Sequence, residues 1–168
     1  MQLNAKQTIP SETIESIDLL MRQGHFLQAI GSAAEVLKNF PSDFTLWNML
    51  GISAVQLGKL DLAKNAFEAS IKINKNSFDG FNNLGNVFRL QKKFDQAIKA
   101  YNQAVALNPN FAEAHNNIGV VLKATGRLTE AEKSVRRALS LKSDYGHAYS
   151  NLGWIKAEQG HFDEAEVA

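Results

Sequence analysis

The feature that most constrains this chain is a repeat of fixed length. Alanine recurs at Ala29, Ala63, Ala97, Ala131 and Ala165, each 34 residues after the last. An aliphatic-glycine pair recurs with the same period at Leu50-Gly51, Leu84-Gly85, Ile118-Gly119 and Leu152-Gly153. Two independent series in one register, with no insertion or deletion, mean that one supersecondary unit is used repeatedly. Each copy then covers its apolar face with its neighbour.

Each copy carries two helical patterns. In the third, Phe81, Leu84, Gly85 and Phe88 form one apolar stripe, and Ala97, Ile98, Tyr101, Ala104 and Val105 form a second. Both follow the spacing of an amphipathic helix. The small residues on these stripes are packing residues, since a missing side chain lets two helix backbones approach closely. Gly58, Gly126 and Gly160 recur near the end of the first helix, where a left-handed cap suits glycine, but Lys92 stands at the matching place in the third copy. The turn there is expected to be either strained or differently built. Pro41 and Pro109 fall between copies, where one helix stops before the next begins. The pattern predicts nine complete helices, the start of a tenth and no strand.

These marks resemble the tetratricopeptide repeat (TPR), whose period is 34 residues and whose pattern includes the Leu-Gly pair, a later Ala, an aromatic and a Pro. The resemblance covers residues 10–168, after a tail at 1–9. The repeats run 10–43, 44–77, 78–111 and 112–145, with a partial fifth over 146–168. The first departs most, with Ser16 and Ile17 in place of Leu-Gly, as a polar-faced end cap would. The resemblance implies an all-α, right-handed superhelix of antiparallel helix pairs. In it the first helix of each pair lines a concave groove, which is the usual binding surface.

Charge and composition narrow the function. Eighteen basic against seventeen acidic residues leave a formal charge of +1, which gives a nucleic acid or an acidic membrane surface no field to respond to. The absence of cysteine excludes disulfides, thiolate metal sites and cysteine nucleophiles. With no apolar run long enough to span a bilayer and no signal-like start, the expected location is cytoplasmic.

Catalytic patterns fail one by one. Gly58-Lys59 is followed by Leu60, and Gly51 lies seven residues before Gly58, so a phosphate loop is not formed. His25, His115, His147 and His161 have no metal-ligand spacing. Glu130 with Glu132, and Glu164 with Glu166, lie two apart on a helix and diverge. The expectation is no enzyme, cofactor or metal within these residues. Trp47, Phe67, Phe81, Phe88, Phe94 and Tyr101 fall on core stripes, and Trp154 does not.

Candidate binding residues come from the other face of the first helices. Asp79, Asn82, Asn83 and Asn86 lie opposite Phe81, Leu84 and Phe88, and Asn116, Asn117 and Asn151 recur at matching steps. Asparagine is a poor helix former, so its repeated use mid-helix asks for compensation. A carboxamide both donates and accepts, which suits the backbone of an extended peptide. Asn82-Asn83-Leu84-Gly85-Asn86 resembles repeats of O-GlcNAc transferase and of bacterial multi-TPR proteins. There the Asn before Leu-Gly lines the groove and binds peptide backbone, which marks Asn83, Asn117 and Asn151. Met49 breaks the series in the second repeat. The alternative for the same amides is that they bridge adjacent repeats, because buried amides need partners.

Arg89 and Lys123 lie at the groove margin and favour acidic character in a ligand. Neutral amides at Asn82, Asn86, Asn117 and Asn151 disfavour a clamp for chaperone C-termini. The leading expectation is a scaffold binding an extended peptide or partner helix, with Trp154 among the contacts. The alternative is the substrate-recruiting or self-assembling region of a larger enzyme, such as a glycosyltransferase, sulfotransferase or oxygenase. The pattern breaks off mid-helix at Ala168, so the natural chain is expected to continue. Tyr149, Leu152, Trp154 and Phe162 are candidates for contact between copies, either in a two-fold dimer or head to tail against Ile14, Ile17 and Met21.

Overall fold

The computed structural model describes residues 9–160. They form nine α-helices and no strand: α1 (Ser11–Arg22), α2 (Phe26–Asn39), α3 (Phe44–Gln56), α4 (Leu60–Ile73), α5 (Phe78–Leu90), α6 (Phe94–Leu107), α7 (Ala112–Ala124), α8 (Leu128–Leu141) and α9 (Gly146–Glu158). Helices α3, α5, α7 and α9 begin at the first residue of the second to fifth expected repeats. The expected start of a tenth helix lies outside the described residues, as do Phe162, Ala165 and the tail's first eight residues. The chain divides into two compact units, one ending at Lys75 and the other beginning at Asn76.

In the first unit, α1 to α4 pack as successive neighbours. Ile17, Ala29, Ala33, Leu37, Leu46, Met49, Leu50 and Ala66 make its core, with Ile14 and Met21 packed against it. Ile14, Ile17 and Met21, expected as a free stripe for a second copy, are instead used inside this unit; Ile17 is buried. Met49 likewise belongs to the core, which explains why the amide series is interrupted there. Asp43 opens α3 by accepting a hydrogen bond from the Leu46 amide at 2.8 Å, an N-cap that supplies one of the helix's orphan donors.

The second unit repeats the arrangement with α5 to α9. Its core joins Ala97, Tyr101, Ile118, Val121, Leu122, Ala131, Val135, Ala138, Ala148, Leu152 and Ile155. Ala97 and Ala131 are fully buried, as expected for residues at helix crossings. The aliphatic-glycine pairs have the same cause. A Cβ placed on Gly85 would sit 2.5 Å from the Tyr101 ring, and one on Gly51 would sit 2.6 Å from the Phe67 ring. In the second, third and fourth repeats the glycine of the first helix is the seat for a side chain of the second, Phe67, Tyr101 and Val135 in turn.

At the turns, Gly24, Gly58, Gly126 and Gly160 all have positive φ, and so does Lys92 at 58°. All four glycines and the lysine occupy one register, so the turn geometry is imposed by the repeat and not chosen by the residue. A left-handed conformation brings Cβ of an L residue against the following carbonyl, at roughly 1–2 kcal/mol. Lys92→Gly is therefore expected to stabilise the protein by about 0.5–1 kcal/mol, the relief being partly offset by the freer unfolded chain. Denaturant titration of the two proteins measures this, and equal midpoints would refute it.

Candidate functional site

One face of α5, α7 and α9 carries most of the polar residues singled out from the sequence. Helical spacing puts Asp79, Asn82, Asn86 and Arg89 in one line on α5, and Glu113, Asn116, Asn117 and Lys123 together on α7. Asn117 Nδ2 donates to Asn82 Oδ1 at 3.0 Å, and Asn151 Nδ2 donates to Asn116 Oδ1 at 2.9 Å. These two bonds are the same bond one repeat apart. In both, the Asn before the aliphatic-glycine pair reaches back to the Asn one step earlier in the preceding repeat.

Further bonds extend the network. Asn82 Nδ2 donates to Glu113 Oε1 at 2.8 Å, and Asn86 Oδ1 accepts from Asn117 at 3.4 Å and from the Tyr101 hydroxyl at 2.8 Å. Asn116 is hydrogen-bonded to Tyr145. Asn83, Asn86, Asn117 and Asn151 are half-buried, but the amides of Asn86, Asn117 and Asn151 are engaged in the bonds between repeats that the alternative reading expects. The expectation of a reachable row fails for Asn82 and Asn116, which are buried. The reason is geometric: a residue facing the next first helix has its amide taken by that helix, and burial without such a partner would cost about 1–3 kcal/mol.

Arg89 and Lys123 are both half-buried at the far end of this face. Arg89 hydrogen-bonds the Tyr101 hydroxyl, while its Nε is buried with no acceptor. Lys123 Nζ lies 3.4 Å from a Glu158 carboxylate oxygen and 5.5 Å from the centre of the Trp154 ring. Trp154 is 64% exposed, which sets it apart from the core aromatics. Burial, against a smaller opposing effect of Arg89, pushes the Tyr101 phenol up to about 12. At the near end, burial and then the charge of Glu113 raise the Asp79 carboxyl.

The residues proposed for contact between copies divide. Tyr149 and Trp154 are exposed, whereas Leu152 is part of the core that α9 shares with α7 and α8. Phe162 lies outside the described residues. Sequence reasoning missed Glu113, Glu158 and the α8–α9 ion pair. Glu113 was findable, because it stands one period after Asp79. In the ion pair, Glu132 receives Arg136 Nε at 2.8 Å and Lys156 Nζ at 3.1 Å. Burial opposes the ionised form of Glu132, but hydrogen bonds from Arg136, Lys156 and Gln159 outweigh it and hold the carboxyl below its ordinary range. The pair's stabilisation is therefore present above the unfolded carboxylate's titration and lost as pH falls through the lower folded value. Glu132→Gln is expected to flatten the acid limb of a stability-against-pH curve. An unchanged limb would show that Glu132 does not drive it.

A recess of about 470 Å³ is lined by Phe81, Leu84, Phe88, Gln96, Lys99, Ala100 and Gln103. It shares no residue with the amide face. Among the described residues no group of His, Cys, Asp or Glu is placed to hold a metal ion, and no helix is long and apolar enough to cross a membrane.

Profiles described as Tetratricopeptide repeat match residues 15–78 and 110–168, and one described as TPR repeat matches 85–126. The chain belongs to the tetratricopeptide-repeat family. A TPR chain of this kind is a protein-interaction scaffold, built from helix pairs that no single repeat could stabilise alone. Among solved structures, the chain is similar to MamA, with 25% identity over 90% of this chain and 88% of that one, at a TM-score of 0.80. It shares the fold of PilF from Pseudomonas aeruginosa, with 16% identity over 94% and 72% of the two chains and a TM-score of 0.84. It also shares the fold of YrrB, described as a TPR protein with an unusual peptide-binding site, with 24% identity over 91% and 79% and a TM-score of 0.71. No curated protein matches the chain by sequence.

Proposed function

We infer that this TPR chain holds an extended peptide segment of a partner protein against the face formed by α5, α7 and α9. The observation that carries the reading is Trp154. An indole left 64% exposed beside a lysine, on the face that also carries half-buried amides, gives an apolar anchor next to hydrogen-bonding groups. Aromatic anchors of this type concentrate binding energy. The amides at Asn83, Asn86, Asn117 and Asn151 keep part of their surface, and a carboxamide pairs with a peptide backbone whatever the side chains are. YrrB, of the same fold, is described as having a peptide-binding site, which supports a peptide ligand here.

The test is a phage-displayed library of linear peptides selected on the folded chain. Enriched peptides are expected to lose about tenfold or more in affinity when Trp154→Ala is introduced, a loss in the range of an aromatic anchor. Asn83→Ala should weaken them less. Circular dichroism confirms that both variants remain helical. Enriched peptides that bind Trp154→Ala and Asn83→Ala as well as they bind the natural chain would overturn the reading.

A further inference from the structure

The binding face of the second unit is electrostatically two-edged. Asp79 and Glu113 stand in the first turns of α5 and α7, and Arg89 and Lys123 in their last turns. The two pairs have the same ten-residue separation, about 15 Å along each helix. The matching positions are uncharged in the second repeat, Thr45 and Val55, and the fifth has His147 and Ala157. The two-edged character is thus confined to two adjacent repeats.

Neither edge is neutralised by the other. Among the described residues Asp79 and Glu113 make no ion pair; Glu113 is steadied by a neutral amide, that of buried Asn82. Burial, and after it the charge of Glu113, raise the Asp79 carboxyl, so the two carboxylates repel across this edge. On the other edge, among the described residues, the Arg89 Nε is buried without an acceptor and Lys123 meets the half-exposed Glu158 and the Trp154 ring. An incoming carboxylate can pair with Lys123 in place of Glu158, which is half-exposed and can turn into water.

We propose that the partner segment is an extended strand of alternating basic and acidic residues, its cations turned to Asp79 and Glu113 and its anions to Arg89 and Lys123. This rests on the peptide-binding reading and adds the ligand's chemistry. In an extended chain successive side chains point to opposite sides, and residues two apart on one side are about 7 Å from each other. Neighbouring helices lie about 8–10 Å apart, so long flexible side chains two positions apart span α5 and α7 on each edge. A backbone running across the amides between the edges sends every second side chain to the acids and the rest to the bases. Opposite charges at four points also fix the strand's direction of lateral tilt and exclude uniformly charged competitors.

The experiment compares three short capped peptides by fluorescence anisotropy on the full chain at low ionic strength. One alternates Lys and Glu, one has the same composition in two blocks, and one alternates Gln and Thr. The alternating peptide is expected to bind about tenfold tighter than the block peptide, the scale of several partly exposed charge pairs acting together. The advantage should vanish in Asp79→Asn with Glu113→Gln, and separately in Lys123→Gln, with unchanged circular dichroism. Equal binding of all three peptides, with Trp154→Ala still weakening them, would overturn the charge pattern and leave the peptide groove standing. If none of the three binds while a library-selected peptide does, the pattern is again overturned. If no peptide of either kind binds, both readings fall.

Discussion

Tyr101→Ala is expected to destabilise the protein by about 3–5 kcal/mol, the range for removing a large aromatic side chain from a packed core. Tyr101 is fully buried and sits over Gly85, whose missing Cβ is the reason the ring fits. Truncation leaves a cavity that α5 cannot close, because Gly85 has no side chain to move into it. The same residue holds the polar face in place. Its hydroxyl donates to Asn86 Oδ1 at 2.8 Å and is hydrogen-bonded by Arg89. Tyr101→Phe separates the two roles, keeping the ring and costing only about 1 kcal/mol for the lost hydrogen bond. It also changes the alkaline behaviour. Because burial raises the phenol to about 12, the stabilisation it contributes is complete below the unfolded value near 10 and is lost as pH rises through the folded one. The natural protein should therefore lose more stability than Tyr101→Phe over that window in paired denaturant titrations. Parallel curves would mean that the phenol ionises elsewhere.

The fold was legible because its cause is periodic. Ala97 and Gly85 recur where backbones must approach, and the period alone locates helices that begin at Phe44, Phe78, Ala112 and Gly146. Lys92 was legible for the same reason: a shared register imposes its φ. The site was read less completely. Asn82 and Asn83 are adjacent in sequence and alike in chemistry, but a helix turns about 100° per residue, so one amide faces the next repeat and the other does not. Periodicity says that both recur and does not say which one a neighbour will claim. Glu158 escaped notice because its partner, Lys123, is on another helix, and a contact of that kind depends on how α7 and α9 are set side by side. Leu152 was misassigned to a free surface because the stripe it belongs to was read without the helix that covers it.

The second large effect is expected at Asn82, where a polar residue on a proposed binding face acts as a structural joint. Asn82→Ala should destabilise the protein by about 2–3 kcal/mol, more than a surface asparagine would, because two partners lose their bonds together. Asn82 is 2% exposed, accepts from Asn117 at 3.0 Å and donates to Glu113 at 2.8 Å. Without it, the Asn117 amide loses its shorter bond and keeps only the 3.4 Å contact with Asn86. The Glu113 carboxylate loses the one neutral donor that steadies it beside Asp79. A double-mutant cycle apportions the loss. In Asn82→Ala with Asn117→Ala the combined cost should fall short of the sum of the single costs by about 0.5–1 kcal/mol, since the second change removes a group already left without its partner. The same cycle with Asn83, which lies next to Asn82 in the chain, should be additive. Additivity for Asn82 and Asn117 would mean that the bond between the repeats carries no stability, and that the recurring amides are kept for the ligand alone.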